Sequence, residues 1–283
     1  PETAEDVFDK LTGFAEYGFP KSHAAAFALL AYQSCWLNHY YPAEFLCALL
    51  NNQPMGFYAP HVLVNDARRH GIRVLRPDVN ESTVPCSVEG KKTVRIGLAF
   101  VKGLGEDAAS EIVRERVANG PYRSLADLVR RVPLRQESVR HLIAAGACDG
   151  FGMQRREMIW QLGLFIPSRS FSKGKKHKTA GRQLSLALPT EQDAVELPRT
   201  SAWERMADEY RILGMSTTFH PMALLRPRMP KGMVSARDLQ TLADGTMIRL
   251  PGLIVCRQRP GTAKGITFLL LEDEFDLVNV VVH

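Results

Sequence analysis

Lys21, Ser22 and His23 form a polar triplet between a stretch rich in glycine and aromatics, Gly13–Pro20, and a nearly uninterrupted apolar run that continues to Leu37. Pro20 suits a helix start and Ser22 can cap it. The first turn of any helix carries backbone N–H groups without intrahelical partners. An ammonium, a hydroxyl and an imidazole beside the positive end of a helix dipole make a place for phosphate. The helix behind them is apolar around most of its circumference, which requires burial in a large body.

A second candidate is Val101–Val113, VKGLGEDAASEIV. Gly103 and Gly105 let the backbone come close to a ligand, and a helix is expected from Glu106. Backbone N–H groups at such a turn hold a nucleic-acid phosphate without reading sequence. A comparable turn follows at Ala144–Gly152, AAGACDGFG, between expected helices Gln136–Ala145 and Met153–Leu164. Lys102, Arg123, Arg130, Arg131, Arg135, Arg140, Arg155 and Arg156 gather around the two turns. Two glycine turns, each followed by a helix, resemble a tandem helix-hairpin-helix DNA-binding domain. Its expected contacts are Lys102, Gly103, Gly105, Gly146, Gly150, Gly152, Arg155 and Arg156. Glycines that merely end helices and arginines that merely solvate a surface would leave the same trace.

Towards the C-terminus the pattern becomes β-rich: TMIRLPGLIVCRQR, ITFLLLED and DLVNVVVH. These read as the start of an OB-type barrel. Arg249, Arg257, Arg259 and Lys264 on or between its strands suit tracking of a single-stranded backbone. Phe268 and Phe275 are the candidate stacking aromatics, with Phe268 more in keeping with a core. Glu272-Asp273-Glu274 and Asp276 read as a hairpin turn, because adjacent carboxylates seldom converge on a metal. No Ser-His-Asp or Cys-His set is identifiable. His23, His39, His61 and His70 lack metal-ligand spacing, and His39 reads as structural.

The elements that must position these groups follow from pattern. Val7, Phe8 and Leu11 share one face of a helix ending near Gly13. The apolar helix runs from about Ser22 to Tyr40, and Pro42 restarts another. Pro60–His70 is a helix with Val62, Leu63 and Ala67 inward, stopped by Gly71. Cys86–Phe100 alternates with period two around Glu89-Gly90-Lys91, as a hairpin does. From Ser168 to Gln183 there are six Lys/Arg and no Asp/Glu, which reads as a flexible basic linker. A helix from Trp203 to about Leu213 precedes the β-rich part.

The whole chain sets bounds. Its 283 residues allow two or three domains. The net charge of +6 and pI of about 9.1 hint only mildly at a polyanionic partner. Five scattered cysteines without a CxxC pair argue for reduced cytosolic thiols, against a zinc site or disulfide framework. No signal peptide is visible, and no apolar run is long enough to span a bilayer. The first residues already run as a helix and the last stop inside a strand-like run, so the chain reads as a piece of a longer protein.

The segment Val7–Leu50, with GFAEYGFPKSHAAAFALLAYQSCWLNHYYPAEFLCALLN, closely resembles the fingers of bacterial C-family DNA polymerases, relatives of the DNA polymerase III alpha subunit. The order that follows matches as well: hairpin, tandem helix-hairpin-helix, linker, OB domain. Gln53-Pro54-Met55-Gly56-Phe57-Tyr58, within LLNNQPMGFYAPHVLVNDARRHGIRVLRPDVNES, is similar to the error-prone, damage-inducible branch rather than to the main replicase. The resemblance implies a mainly α multidomain fold with a C-terminal partial β OB-fold. It divides the chain into fingers with a β-hairpin (1–100), tandem helix-hairpin-helix (101–166), basic linker (167–200), and a helix plus truncated OB domain (201–283).

It further implies a DNA-directed DNA polymerase of damage-induced translesion synthesis as the parent. Primer-template DNA and a deoxynucleoside triphosphate would be its substrates, damage-response accessory proteins its partners, and the cytoplasm its location. Mg2+ would be held by palm aspartates that this chain lacks, so the piece should be inactive alone. Lys21, Ser22, His23 and Tyr17 would face the incoming nucleotide, with Tyr17 and Phe19 equally readable as core aromatics. Gln183-Leu184-Ser185-Leu186 matches the start of the sliding-clamp peptide of replicative relatives. Ala187 departs from its final aromatic, which removes a large buried side chain and weakens docking. Two other readings are a non-enzymatic DNA-binding adaptor, which would have no need of the Lys-Ser-His loop, and the high-fidelity replicase.

Overall fold

Ala43, Leu46, Cys47 and Leu50 recur at the i, i+3, i+4, i+7 spacing that gives a helix one apolar face, and all four are buried. They lie on α3 (Pro42–Asn51), and α4 (Pro60–Arg69) follows, each started by a proline in its first turn. The structure, a computed structural model, describes residues 2–17, 20–56, 58–165, 197–261 and 265–283. Behind α3 and α4 stands a small sheet of β1 (Arg73–Leu75), β2 (Ser87–Val88) and β3 (Thr93–Arg95), in the order β1-β3-β2. The β2–β3 pair is antiparallel and is the hairpin expected around Gly90. β1 joins β3 in parallel, which period-two reading did not foresee. Asn51 fastens α3 to this sheet: its Oδ1 accepts from Cys86 N–H at 2.7 Å and its Nδ2 donates to Cys86 O at 3.0 Å.

Four helices follow: α5 (Glu106–Asn119), α6 (Leu125–Arg131), α7 (Gln136–Ala144) and α8 (Arg155–Phe165). Ile112, Leu128, Leu142, Ile143, Met158 and Leu162 are fully enclosed between them. α9 (Ala202–Leu213) packs on α7 and adds Ile212, Leu213 and Met215 to the same continuous core. Its start carries a capping box between Ser201 and Glu204. Arg155 ties α8 to α9 from inside. It donates to both Asp149 carboxylate oxygens at 2.9 Å, to Ala144 O at 2.9 Å and to Glu209 Oε1 at 3.2 Å.

The C-terminal part comprises α10 (Pro221–Leu225) and an antiparallel meander of β4 (Leu253–Gln258), β5 (Thr267–Glu272) and β6 (Leu277–Val282). The chain is therefore mainly helical with a C-terminal β region. No residue of this sheet belongs to the main core; its union with the helices is polar. Glu272 is completely buried and accepts from Arg69 Nη1 at 3.0 Å and Asn65 Nδ2 at 3.3 Å. Asp273 accepts from Ala236 N–H at 2.8 Å and Arg226 Nη2 at 3.1 Å, and Arg226 also pairs with Glu274. Glu272 ends β5 and Asp273–Asp276 form the β5–β6 turn, and the carboxylates of Glu272, Asp273 and Glu274 are consumed by the fold.

Three expectations are corrected. α1 (Glu2–Tyr17) continues through Gly13 instead of ending near it. A single glycine costs a helix only about 1 kcal/mol. α2 (Lys21–Tyr40) has no buried residue; Phe27, Leu30, Trp36 and Tyr40 are 57%, 55%, 41% and 61% exposed. The apolar pattern states what the helix needs, and no described element besides α3 packs extensively against it. Phe268 is 42% exposed and does not enter a core, because nothing among the described residues covers its face of the meander.

The charge network makes stability depend on pH. Burial pushes the Glu272 carboxyl up, but contacts with His220, Arg69 and Asn65 outweigh it and hold the group below the ordinary carboxylate range. The Arg131 hydrogen bond holds Glu115 low as well. Burial lowers the pKa of His61. All three bind a proton less readily folded than unfolded, so each contributes stability that is lost as pH falls. The urea midpoint should decline gently as pH drops below about 6.5, the unfolded histidine range, and more steeply below about 4. A midpoint that held constant or rose down to pH 3.5 would contradict this assignment.

Candidate nucleic-acid interface

The Lys102–Gly105 turn presents backbone outward while its middle residue points in. Leu104 is 6% exposed and anchors the turn in the core, whereas Lys102, Gly103 and Gly105 lie at the surface. Gly103 and Gly105 adopt φ of 77° and 81°, the left-handed region in which a side chain is strained. Two side chains of α7 hold the turn from behind. Ser138 Oγ donates to Gly103 O at 2.9 Å, and His141 Nδ1 meets Lys102 O. A carbonyl only accepts, so the proton there sits on Nδ1. Lys102 N–H donates to Ile212 O at 3.2 Å, which ties the turn to α9.

Leu104 N–H is spent on Val101 O at 3.1 Å, so the donors left for a ligand are those at the start of α5. Gly105 is the N-cap of α5 and offers no side-chain cap, so the first-turn N–H groups of α5 stay open to a ligand. α7 begins on the same recess: Arg135 is its N-cap, again without a side-chain cap. Two positive helix ends thus share one shallow opening with Gly103, Gly105 and Arg135 on its wall. Lys102, Arg135 and Arg140 are exposed and have no ion pair among the described residues. Glu106 and Asp107 complement the dipole from the first turn of α5 and oppose an anion there. The cations must therefore supply the attraction.

The second turn behaves differently. Gly146 is buried at φ 82°, and a Cβ on it would run into the Arg155 guanidinium and Arg76. Ala147 O accepts from Val79 N–H at 3.0 Å, and Asp149 pairs with Arg76 at 3.0 Å as well as with Arg155. Gly150 lies against the Asp78 carboxylate, which repels phosphate. Gly150 and Gly152, the latter at φ 73°, are exposed, whereas Ala144–Cys148 is buried. The first turn can meet a phosphate; most of the second is interior. Arg155 is a correction: at 7% exposure, with its hydrogen bonds spent on Asp149, Glu209 and Ala144, it is a structural strut and not a DNA contact. Arg156 is half-exposed and engaged with Glu204 and Pro198 O.

Lys21, Ser22 and His23 share the exposed start of α2, as their spacing implied. Pro20 itself is the N-cap at φ −60° and ψ 120°, so Ser22 stands within the first turn and does not cap. The His23 ring packs against Phe27, tilted by 50° with centroids 4.4 Å apart. Tyr17 is the last residue of α1. Arg257 on β4 and Arg259 just beyond it are exposed. Gln183, Leu184, Ser185 and Leu186 lie outside the described residues. Sequence reading missed Ser138 and His141, the supports of the first turn. Their i, i+3 spacing on α7 was the only available trace. Among the described residues no group of three or more His, Cys, Asp or Glu is placed to hold a metal ion. No described helix is long and apolar enough to cross a membrane.

A family model described as a helix-hairpin-helix motif matches residues 71–158. It thus includes the small sheet in front of the first glycine turn. The chain is also 41% identical over 285 residues to an error-prone DNA polymerase of Dechloromonas aromatica (strain RCB), covering 100% of this chain and 26% of that protein. The error-prone DNA polymerase of Burkholderia pseudomallei (strain K96243) is 44% identical over 292 residues, with 100% and 26% covered. That of Corynebacterium glutamicum is 43% identical over 282 residues, with 99% and 25% covered. The chain spans about a quarter of the length of the curated relatives it matches.

Proposed function

Since the chain is a relative of the error-prone DNA polymerases along its whole length, we propose that it forms the part of such an enzyme that grips DNA and positions the incoming nucleotide during error-prone, damage-induced synthesis. The observation that carries the DNA half is the outward Gly103–Gly105 turn, its Lys102 and Gly103 carbonyls tied to α7, which leads into the uncapped N–H groups of α5 beside the exposed Lys102, Arg135 and Arg140. A phosphate of the duplex backbone sits on those donors, which sets register without reading bases. Arg257 and Arg259 are exposed cations of the C-terminal strands, which we read as three strands of an OB-type module for a single-stranded template.

The exposed start of α2 supports the nucleotide half. Lys21 supplies a point charge to a phosphate, Ser22 and His23 polar contacts, and Tyr17 a packing or base-facing ring. Positioning of this kind contributes substantially to phosphoryl transfer. Mg2+ and the carboxylates that hold it belong, on this reading, to the parent enzyme outside this chain. A sliding clamp on Gln183–Leu186, damage-response accessory proteins and a cytoplasmic location complete the proposal. On this reading the chain divides into 1–100, 101–166, 167–200 and 201–283. The hydrogen bonds of Arg155 and Lys102 argue that α9 travels with the helix-hairpin-helix body.

Salt dependence tests the interface. Duplex DNA should bind with an affinity that falls linearly in a plot of log K against log salt. Lys102→Ala and Arg135→Ala should each weaken binding uniformly across sequences and lower the slope by about 1. Salt-insensitive binding, or unchanged slopes in both variants, would remove the turn from the interface.

A further inference from the structure

Where α4 faces the loop before α10, a cavity of about 330 Å³ opens between Arg68 and Arg69 on one side and Phe219 and His220 on the other. Two buried donors on its wall have no hydrogen-bond partner among the described residues: Arg69 Nη2 and His220 Nε2. His220 is only 7% exposed. Its Nδ1 accepts from Met222 N–H at 3.1 Å, so in the neutral ring the proton sits on Nε2, which is a donor. Glu272 Oε2 lies 3.9 Å from it, close enough for the imidazole to favour the Glu272 carboxylate electrostatically but too far for a hydrogen bond. Arg69 Nη2 stands 3.6 Å from Asp66 Oδ1, again out of range. Arg68 completes the set. Its guanidinium donates to Thr218 O at 3.1 Å and has no ion pair among the described residues.

The carboxylates nearby are already matched. Glu272 is held by Arg69 Nη1 and Asn65, Glu274 by Arg226, and Asp66 is half exposed to solvent. Unpaired buried donors carry a free-energy cost that an acceptor relieves. The cavity is roomier than one water needs, about 30 Å³ of liquid volume. A tetrahedral oxyanion offers several acceptor oxygens at once and suits the fork of an arginine. We propose that this cavity is a phosphoryl-anion site, in which one phosphate group bridges Arg68, Arg69 Nη2 and His220 Nε2. It is separate from the glycine turn and does not depend on the function assigned to that turn.

The test titrates inorganic phosphate into the full chain at constant ionic strength in chloride. Thermal denaturation and the amide NMR shifts of Thr218, Phe219 and His220 are the readouts. The wild type should show a saturable rise in Tm and saturable shifts at those amides. His220→Asn keeps an acceptor for Met222 N–H and removes the Nε2 donor; Arg68→Met removes the unmatched charge. Each should weaken phosphate affinity by about tenfold or more. If His220→Asn does not fold, the half-buried Arg68→Met decides alone. Absence of saturation in the wild type, or full affinity in Arg68→Met, overturns the site. Given saturable binding, displacement of phosphate by a short oligonucleotide identifies a nucleic-acid backbone as the source. Displacement by a nucleoside triphosphate alone identifies a free nucleotide, and displacement by neither confines the site to free phosphate.

Discussion

Gly97→Ala should lower stability by about 3 kcal/mol or more and take DNA binding down with it. A Cβ on Gly97 would fall within 3.0 Å of the backbone of Val84 and Pro85, a distance real Cβ atoms essentially never show. The conflict is with main chain on both counts, so no rotamer change relieves it. The two strands of chain are also tied together. Ile96 O accepts from Ser82 Oγ at 2.8 Å, Leu98 N–H donates to Thr83 O at 3.0 Å, and Ala99 N–H donates to Val84 O at 2.9 Å. Overpacking typically costs about 1–3 kcal/mol, and an unyielding backbone neighbour places this case at the upper end or beyond. The urea midpoint of the full chain measures it. A loss below about 1 kcal/mol would mean the 83–86 segment moves freely and the close approach is not structural. Because Gly97 immediately precedes the 3-10 turn Leu98–Phe100 that leads into Lys102–Gly105, the outward donors should lose their geometry in the same variant.

Arg155→Met should destabilise by about 3–5 kcal/mol, the usual result of removing one partner from a buried charge network. Glu209 would keep only its 2.6 Å bond from Ser216 Oγ, at 2% exposure. Asp149 would retain Arg76 but lose both bonds from Arg155. Arg155→Lys should rescue little, because one ammonium cannot reach acceptors on Asp149, Ala144 and Glu209 together. Adding Glu209→Gln to Arg155→Met should recover part of the loss, since the stranded charge is then gone. A stability unchanged in Arg155→Met, with DNA affinity reduced, would return Arg155 to the phosphate-contacting role that its position in the sequence suggested.

Arg155 illustrates what pattern reading could reach. In the sequence it is one of several basic residues near a glycine turn, and nothing distinguishes it from Arg135 or Arg140. Its difference arises from Asp149 and Glu209, six and 54 residues away, which converge only when α8 and α9 both pack on α7. The two glycine turns diverge for the same reason. Both have the residue types that permit a tight backbone, yet one is turned outward by Ser138 and His141 and the other is turned inward against Arg76 and Asp78. The acidic run Glu272–Glu274 was legible as a turn, because adjacent carboxylates cannot converge. Its task of locking the sheet onto Asn65, Arg69 and Arg226 was not legible, since those partners lie far away in the chain.

Local chemistry was determined by the sequence alone. It set which segments are helical, since apolar spacing and prolines act within a few residues. It placed glycines where the backbone must take left-handed angles at Gly103 and Gly105. It also carried the likeness to polymerases, since the Gly13–Leu37 block is a property of residue order. The tertiary structure decided orientation and ownership. It chose which glycine turn faces solvent, which arginines stay available for phosphate, and which carboxylates are spent on the fold. The physical reason is that hydrogen bonds and ion pairs are short-ranged. Their partners are chosen by distance in space, and distance along the chain does not report it.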